Sequence, residues 1–232
     1  MQKYKHIFFD LDRTLWDFDT NSRETFEDLF VKFKLRKNGI EDFDKFFSDY
    51  QKINHHFWDK YRKGLIEKEF LNVERFYQVL LLYRIDDRQM AAEMAHNYVR
   101  ISPTKKHLFP NSIEILEYLT KQEYELHIIT NGFPEVQHIK LKNVDLEKYF
   151  NQIIISEEVG YKKPAKEIFD ISLQKANAKP NESVMIGDDL AVDILGGNNA
   201  GLMTIWVNYK NESGEIIPDY EVKELSEIER IL

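Results

Sequence analysis

Three short apolar runs in this sequence each end in small polar or acidic residues, and this pattern limits the folds that the chain can adopt. The runs are followed by three polar ends, namely Asp10, Thr130-Asn131-Gly132 and Gly187-Asp188-Asp189. Segments with helical apolar spacing separate them. Short strands that alternate with helices form parallel sheets, because parallel neighbours need a crossover connection that is nearly always right-handed. The sequence therefore predicts an α/β fold with a doubly wound parallel sheet, whose polar strand ends share one edge.

Further apolar runs complete the predicted sheet. We predict additional strands at 153–155 and 204–207 and a helix over 112–121. Asn111 and Glu114 at the start of that helix are spaced like a capping box. A closing amphipathic helix is predicted from apolar residues at helical spacing near the chain end: Leu225, Ile228, Ile231 and Leu232.

The region between the first strand and residue 105 has helical rather than alternating apolar spacing. Aromatic and aliphatic residues recur at that spacing in 26–33, 43–50, 70–81 and about 87–99. We therefore predict an all-helical domain at 17–105, inserted into a core formed by 1–16 and 106–232. Inserted directly after the first strand, it would lie over the polar edge of the sheet and could act as a lid.

Asp10 and Asp12 lie two residues apart where the first strand ends. Alternate residues of a strand share a face, so we expect the two carboxylates to project together. Two crowded carboxylates seldom both stay ionised without a cation. A bound cation or a retained proton would each suit an enzyme that attacks phosphorus and protonates a leaving oxygen.

The order of the polar motifs resembles a known family, the haloacid dehalogenase-like phosphatases. Four motifs match in order over nearly the whole chain: Asp10-x-Asp12-x-Thr14, Thr130, Lys163-Pro164, and Gly187-Asp188-Asp189 with Asp193. The segment 14–18 more narrowly resembles the branch that hydrolyses nucleoside 5'-monophosphates. The resemblance implies a Rossmann-like core with a helical cap between the first two motifs. It also favours Lys163 over Lys162, because the family's lysine directly precedes proline.

The catalytic roles follow from what phosphoryl transfer needs: an in-line nucleophile, a neutralised phosphoryl group and a protonated leaving oxygen. We interpret Asp10 as the nucleophile, which forms an aspartyl-phosphate, and Asp12 as the acid that then becomes the base. The predicted phosphate-binding residues are Thr130, Asn131 and Lys163.

The expected metal ion is Mg²⁺, because carboxylates, phosphate and water are its usual ligands. We expect Asp10 and Asp188 to be its side-chain ligands, and the family resemblance implies the backbone carbonyl of Asp12 as a third. Asp189 and Asp193 are expected to act around these ligands without binding the ion.

One position departs from the pattern implied by the resemblance. Many relatives have glycine between the second aspartate and the threonine, whereas this chain has Arg13. The bulk and charge of Arg13 could face either the leaving group or solvent, so the choice of substrate stays open.

Composition excludes several classes of protein. The 232 residues include 32 basic and 40 acidic side chains and no cysteine. We therefore expect no polynucleotide partner, disulfide or thiolate zinc site. The sequence starts without a signal-peptide pattern and has no apolar run long enough to cross a bilayer, which predicts a cytoplasmic protein without a membrane partner. The expected partner is a small phosphorylated metabolite, and the chain could be a monomer or a homodimer.

Several functions remain open at this point. The favoured one is magnesium-dependent hydrolysis of nucleoside 5'-monophosphates, especially pyrimidine ones. Alternatives are a phosphatase of sugar phosphates or phosphoglycolate, a phosphomutase, a carbon–halogen dehalogenase of the same fold, and a non-catalytic phosphate-binding protein. Asp12 disfavours the dehalogenase, because a halide leaves without a proton.

Overall fold

The computed structural model describes residues 3–232 and contains a six-stranded parallel sheet with helices packed on it. The strands are β1 (His6–Phe9), β2 (Glu125–Thr130), β3 (Phe150–Ile155), β4 (Ser183–Gly187), β5 (Met203–Val207) and β6 (Tyr220–Val222). They lie in the order β3-β2-β1-β4-β5-β6, and all neighbouring pairs are parallel. The predicted α/β class with a doubly wound parallel sheet is confirmed.

The described chain divides into two compact units. The first comprises the described residues up to Phe18 together with Lys106–Leu232, and the second is Asp19–Lys105. Sequence patterning had put the first boundary at 16/17, two residues earlier. The division falls inside a helix, α1 (Phe18–Lys32).

The second unit is helical. Its helices are α1, α2 (Phe43–Arg62), α3 (Lys68–Leu82) and α4 (Arg88–Ile101). Their apolar faces meet around Phe26, whose ring centroid lies 4.0 Å from that of Tyr50 and 5.7 Å from that of Phe76. Most of the aromatic residues of this segment therefore fill a core of their own.

Five helices accompany the sheet in the first unit: α5 (Ser112–Lys121), α6 (Pro134–Asn143), α7 (Ser156–Val159), α8 (Lys166–Lys175) and α9 (Leu195–Ala200). A π-helical turn, Leu190–Ile194, precedes α9. Throughout residues 3–232, no helix combines the length and the apolar content that a membrane span requires.

Three sequence-based details differ from the structure. Strand β6 was not predicted, because it has three residues and only Val222 is buried, too little for a pattern. The closing helix is a 3₁₀ helix, Leu225–Arg230. The predicted capping box at Asn111 is wrong: this residue has a left-handed backbone (φ 64°) and makes no side-chain cap, whereas a capping side chain needs an extended one.

The topology brings three strand ends together. Strand β1 pairs with β2 on one side and with β4 on the other. The chain adds β2 and β3 on one side of β1 and then returns to add β4, β5 and β6 on the other side. Open α/β sheets bind ligands at such a switch point, beyond the carboxyl ends of the strands. The residues that follow β1, β2 and β4 are those with the polar motifs.

Candidate active site

Three carboxylates converge beyond the carboxyl ends of β1 and β4. Asp10 follows β1, Asp188 follows β4, and Asp193 lies in the π-helical turn. One oxygen from each lies within 4.8 Å of the others. Asp10 and Asp193 are buried, and Asp188 is partly buried. Hard oxygen donors crowded in this way suit a divalent cation such as Mg²⁺.

Burial and mutual repulsion disfavour ionisation of these carboxylates. Burial raises the pKa of Asp10 to about 7, with a contribution from Asp193, although the nearby ammonium of Lys163 opposes the shift. Burial, together with Asp10 and Asp193, also raises the pKa of Asp188 well above its usual range. The protein therefore holds negative charge here at a cost that an added cation would reduce.

Lys163 is a buried cation that lies between two of these carboxylates. Its Nζ donates to Asp10 Oδ1 at 2.6 Å and forms an ion pair with Asp193 Oδ1 at 2.7 Å. The side chain is only 1% exposed. Burial lowers the pKa of Lys163, but the charges of Asp10 and Asp193 outweigh that effect, and the net shift is upward. Lys163 therefore stays protonated beside the nucleophile candidate.

Asn131 fixes the backbone at Lys163. Its Nδ2 donates to the Lys163 carbonyl at 2.9 Å, and its Oδ1 accepts the Lys163 N–H at 2.8 Å. This pair of bonds joins the loop after β2 to the loop before α8. The side chain of Asn131 therefore acts on Lys163, which leaves its backbone N–H and the second Nδ2 proton as possible donors to a phosphate.

Asp12 is held by two residues of α6 that the sequence had not indicated. Lys140 Nζ donates to Asp12 Oδ1 at 2.5 Å, and Gln137 Nε2 donates to Asp12 Oδ2 at 2.8 Å. Lys140 is buried and lies over the Trp16 ring, 4.1 Å from its centroid. Burial lowers the pKa of Lys140, although Asp12 opposes the shift. The only signal in the sequence is the i, i+3 spacing of two polar residues after the Thr130 motif.

Gln137 also connects Asp12 with Thr130. Its Nε2 donates to Thr130 Oγ1 at 2.7 Å, and the Gly132 N–H donates to the same oxygen at 3.1 Å. With both acceptor positions used, the hydroxyl proton of Thr130 remains to be donated. A Cβ at Gly132 would lie 2.0 Å from Gln137 Nε2, so only glycine fits there without moving Gln137.

The acidic residues after Asp188 organise the turn. Asp189 accepts the N–H groups of Ala191 and Val192 at 3.0 and 3.2 Å and so caps the π-helical turn. Asp193 Oδ2 accepts the Asp189 N–H at 3.2 Å. A Cβ at Gly187 would lie 2.3 Å from the same Asp193 oxygen, which explains the glycine at the end of β4.

Two residues after β1 shape the rest of the site. Thr14 Oγ1 lies 3.4 Å from both Asp10 Oδ2 and Asp188 Oδ1. Arg13 has a left-handed backbone with φ 68°, a conformation that favours glycine. Its guanidinium lies 4.2 Å from the centroid of the Phe18 ring.

The chain is similar to several known proteins. A family model described as haloacid dehalogenase-like hydrolase matches residues 4–201. Pyrimidine 5'-nucleotidase YjjG of Escherichia coli (strain K12) is 34% identical, covering 99% of this chain and 98% of that protein. Pyrimidine 5'-nucleotidase PynA of Streptococcus pneumoniae (strain ATCC BAA-255 / R6) is 32% identical, covering 94% and 91%. The crystal structure of HAD-hydrolase YfnB from Bacillus subtilis, bound to magnesium, superposes with a TM-score of 0.88 at 28% identity, covering 99% and 98%.

Proposed function

The chain belongs to the haloacid dehalogenase-like hydrolase family, and on that basis we propose that it hydrolyses nucleoside 5'-monophosphates, with pyrimidine nucleotides preferred. The main support for this reaction class is the position of Asp10, whose carboxylate lies 2.6 Å from the Lys163 ammonium. The carboxylate of Asp12 follows two residues along the chain. The two pyrimidine 5'-nucleotidases that match nearly the whole chain support the substrate class.

The reaction has two balanced steps. A carboxylate oxygen of Asp10 attacks phosphorus, the bond from phosphorus to the ester oxygen breaks, and Asp12 gives that oxygen its proton. Water then attacks the aspartyl-phosphate and gives a proton to Asp12. The bond between phosphorus and the Asp10 oxygen breaks, which restores the carboxylate and releases inorganic phosphate.

The phosphoryl oxygens need donors that stabilise their charge in the transition state. Lys163 supplies an ammonium, Thr130 supplies the hydroxyl proton that its neighbours leave available, and Asn131 and Gly132 supply backbone N–H groups. Because these donors come from two loops that Asn131 ties together, their spacing is fixed before substrate binds.

The donor set fits Mg²⁺. Asp10 and Asp188 would be its side-chain ligands, and the backbone carbonyl of Asp12 a further ligand. When bound, the ion would neutralise charge on the phosphoryl group. Asp193 also has an oxygen within 4.8 Å of the other two carboxylates, but its ion pair with Lys163 favours a role in holding that lysine.

Lys140 and Gln137 are positioning residues in this scheme. Together they donate to both oxygens of Asp12 and so hold its carboxylate in one orientation. This arrangement disfavours a dehalogenase, because a departing halide needs no proton and therefore no oriented acid. A phosphomutase would use the same groups and would differ in passing the phosphoryl group to a sugar.

A substrate panel tests the proposal. Release of inorganic phosphate is measured with pyrimidine and purine nucleoside monophosphates, sugar phosphates and phosphoglycolate. Transfer of phosphate is measured by the interconversion of glucose phosphate isomers, and halide release is measured with 2-haloacids. Each is tested with Mg²⁺ and with a chelator. We expect the highest kcat/KM for pyrimidine nucleotides, and only with Mg²⁺. Equal activity on sugar phosphates would refute the nucleotide preference, and halide release or phosphate transfer between sugar isomers would refute the reaction class.

A further inference from the structure

A second group of side chains with the chemistry of metal ligands lies at the opposite ends of the strands. His6 is the first residue of β1, and Glu125, the first residue of β2, is its partner across the two strands. His127 lies two residues further along β2, so Glu125 and His127 share a face. His127 pairs with Phe8, which shares its own face with His6. All three side chains therefore lie on one face of the sheet, away from Asp10 at the other end of β1.

The donor atoms of this group are close together. His6 Nδ1 lies 3.3 Å from His127 Nε2 and 3.7 Å from Glu125 Oε2, and one donor atom from each residue lies within 4.8 Å of the others. Zinc binds nitrogen at 2.0–2.1 Å in a tetrahedral site, which requires ligand atoms roughly 3.3–3.4 Å apart. The two histidine nitrogens already have the separation of one tetrahedral edge.

We propose that His6, Glu125 and His127 form a binding site for a transition-metal ion, with Zn²⁺ as the ion that two imidazole nitrogens and one carboxylate suit best. Three protein ligands would leave the fourth tetrahedral position to water. Nothing in the phosphatase proposal uses these residues, so the two proposals stand or fall separately.

The two histidines are fixed before any ion binds. His6 and His127 are buried, and the His127 ring stacks on Phe8 with a centroid distance of 4.7 Å. The side chain of Glu125 is 54% exposed, so its carboxylate reaches solvent and can adjust its position.

An ion bound here would join two strands whose histidines are 121 positions apart in the sequence. A ligand that binds the folded state and not the unfolded chain stabilises the fold by mass action. We therefore expect bound Zn²⁺ to raise the melting temperature and to leave phosphate release unchanged.

Cobalt and zinc titrations test the site. Co²⁺ is added in the presence of excess Mg²⁺, so that the carboxylates at the other end of the sheet are occupied. Tetrahedral Co²⁺ with nitrogen ligands absorbs visible light strongly, whereas octahedral Co²⁺ with oxygen ligands absorbs weakly. We expect one equivalent to give the strong bands and one equivalent of Zn²⁺ to remove them.

Two variants and one control identify the ligands. Glu125→Gln changes a largely exposed side chain, so it should fold normally and bind at least about tenfold more weakly. His6→Gln should lose the tetrahedral bands. The control is His138→Gln, which changes an exposed histidine 3.5 Å from Glu158 and should bind like the unmodified protein. Absence of strong bands in the unmodified protein, or equal affinity in Glu125→Gln, would overturn the proposal even if His6→Gln failed to fold.

Discussion

The carboxylate of Asp10 and the ammonium of Lys163 are 153 positions apart in the sequence and 2.6 Å apart in the fold. Lys163 offsets part of the charge repulsion among the three carboxylates of Asp10, Asp188 and Asp193. At the scale of single residues, the site therefore depends on a balance between negative charge, which can attack or bind a cation, and the buried ammonium of Lys163, which makes that charge tolerable.

Asp10→Asn should abolish turnover, with a loss of at least about 10⁴-fold in kcat, because an amide cannot form the acyl phosphate. The fold should survive, since Lys163 keeps Asp193 as a partner. Phosphate release and a thermal melt followed by circular dichroism measure the two effects. Retained turnover in a variant that melts normally would remove Asp10 from the role of nucleophile.

Lys140→Met should lower kcat by about 10–100-fold and change KM little, because Asp12 would lose one of the two donors that orient it. The loss should be larger for nucleotides than for p-nitrophenyl phosphate, whose leaving group needs little protonation. Lys142→Met, at an exposed position of the same helix, is the control and should be neutral. Equal losses on both substrates would argue against a role through Asp12.

At the scale of elements, close packing limits which residue type can stand at the end of β4. The main chain of Asp188 is held by Trp206 of β5, whose Nε1 donates to its carbonyl at 2.8 Å. Directly before Asp188, Gly187 lies against the side chain of Asp193. The end of this strand and the following turn therefore form one tightly packed unit, and its spacing sets the distances among the carboxylates.

Gly187→Ala should destabilise the protein by about 1–3 kcal/mol and strongly reduce activity, because the new Cβ would displace Asp193 from Lys163. The free energy of unfolding in urea and kcat/KM with a good substrate measure both effects. Gly214→Ala is the control: its Cβ would meet only the end of the flexible Leu190 side chain, and the expected cost is below about 0.5 kcal/mol. Unchanged activity in Gly187→Ala would show that the packing is looser than described.

At the scale of the whole molecule, the sheet gathers carboxylates from separate segments at one end of β1 and β4. The repulsion that burial imposes on them is a cost of the folded state, since the unfolded chain separates these charges. A cation bound by the folded state should therefore stabilise the protein as a whole.

Mg²⁺ should raise the melting temperature, with a stabilisation of about 2.7 kcal/mol when its concentration is 100 times its dissociation constant. Asp188→Asn should lose most of this increment. Asp189→Asn is the matched control, because Asp189 caps a turn. This variant should melt at a lower temperature without Mg²⁺ but should gain the same increase when Mg²⁺ is added. Thermal melts with Mg²⁺ and with a chelator provide the measurement, and equal increments in both variants would contradict the assignment of Asp188 as a ligand.

Prediction from sequence succeeded for elements that a pattern of neighbouring residues specifies. Strands β1, β2 and β4 were located because apolar runs of strand length end at polar residues, and the helices of Asp19–Lys105 because apolar residues recur at helical spacing. Prediction failed at Asn111, where the spacing of two residues indicated a capping box and the left-handed backbone prevents one. Strand β6 was missed because one buried residue in three gives no periodicity.

The sequence by itself determined the fold class and the motifs at the strand ends, because strand and helix periodicity and the rules of parallel connection act over short stretches of chain. Only the tertiary structure decided which side chains meet: Lys140 and Gln137 at Asp12, Asn131 at the backbone of Lys163, and His127 at His6. These contacts join residues more than 30 positions apart, and no local preference encodes them. They arise from strand order and helix docking, which are settled by the burial of the whole core.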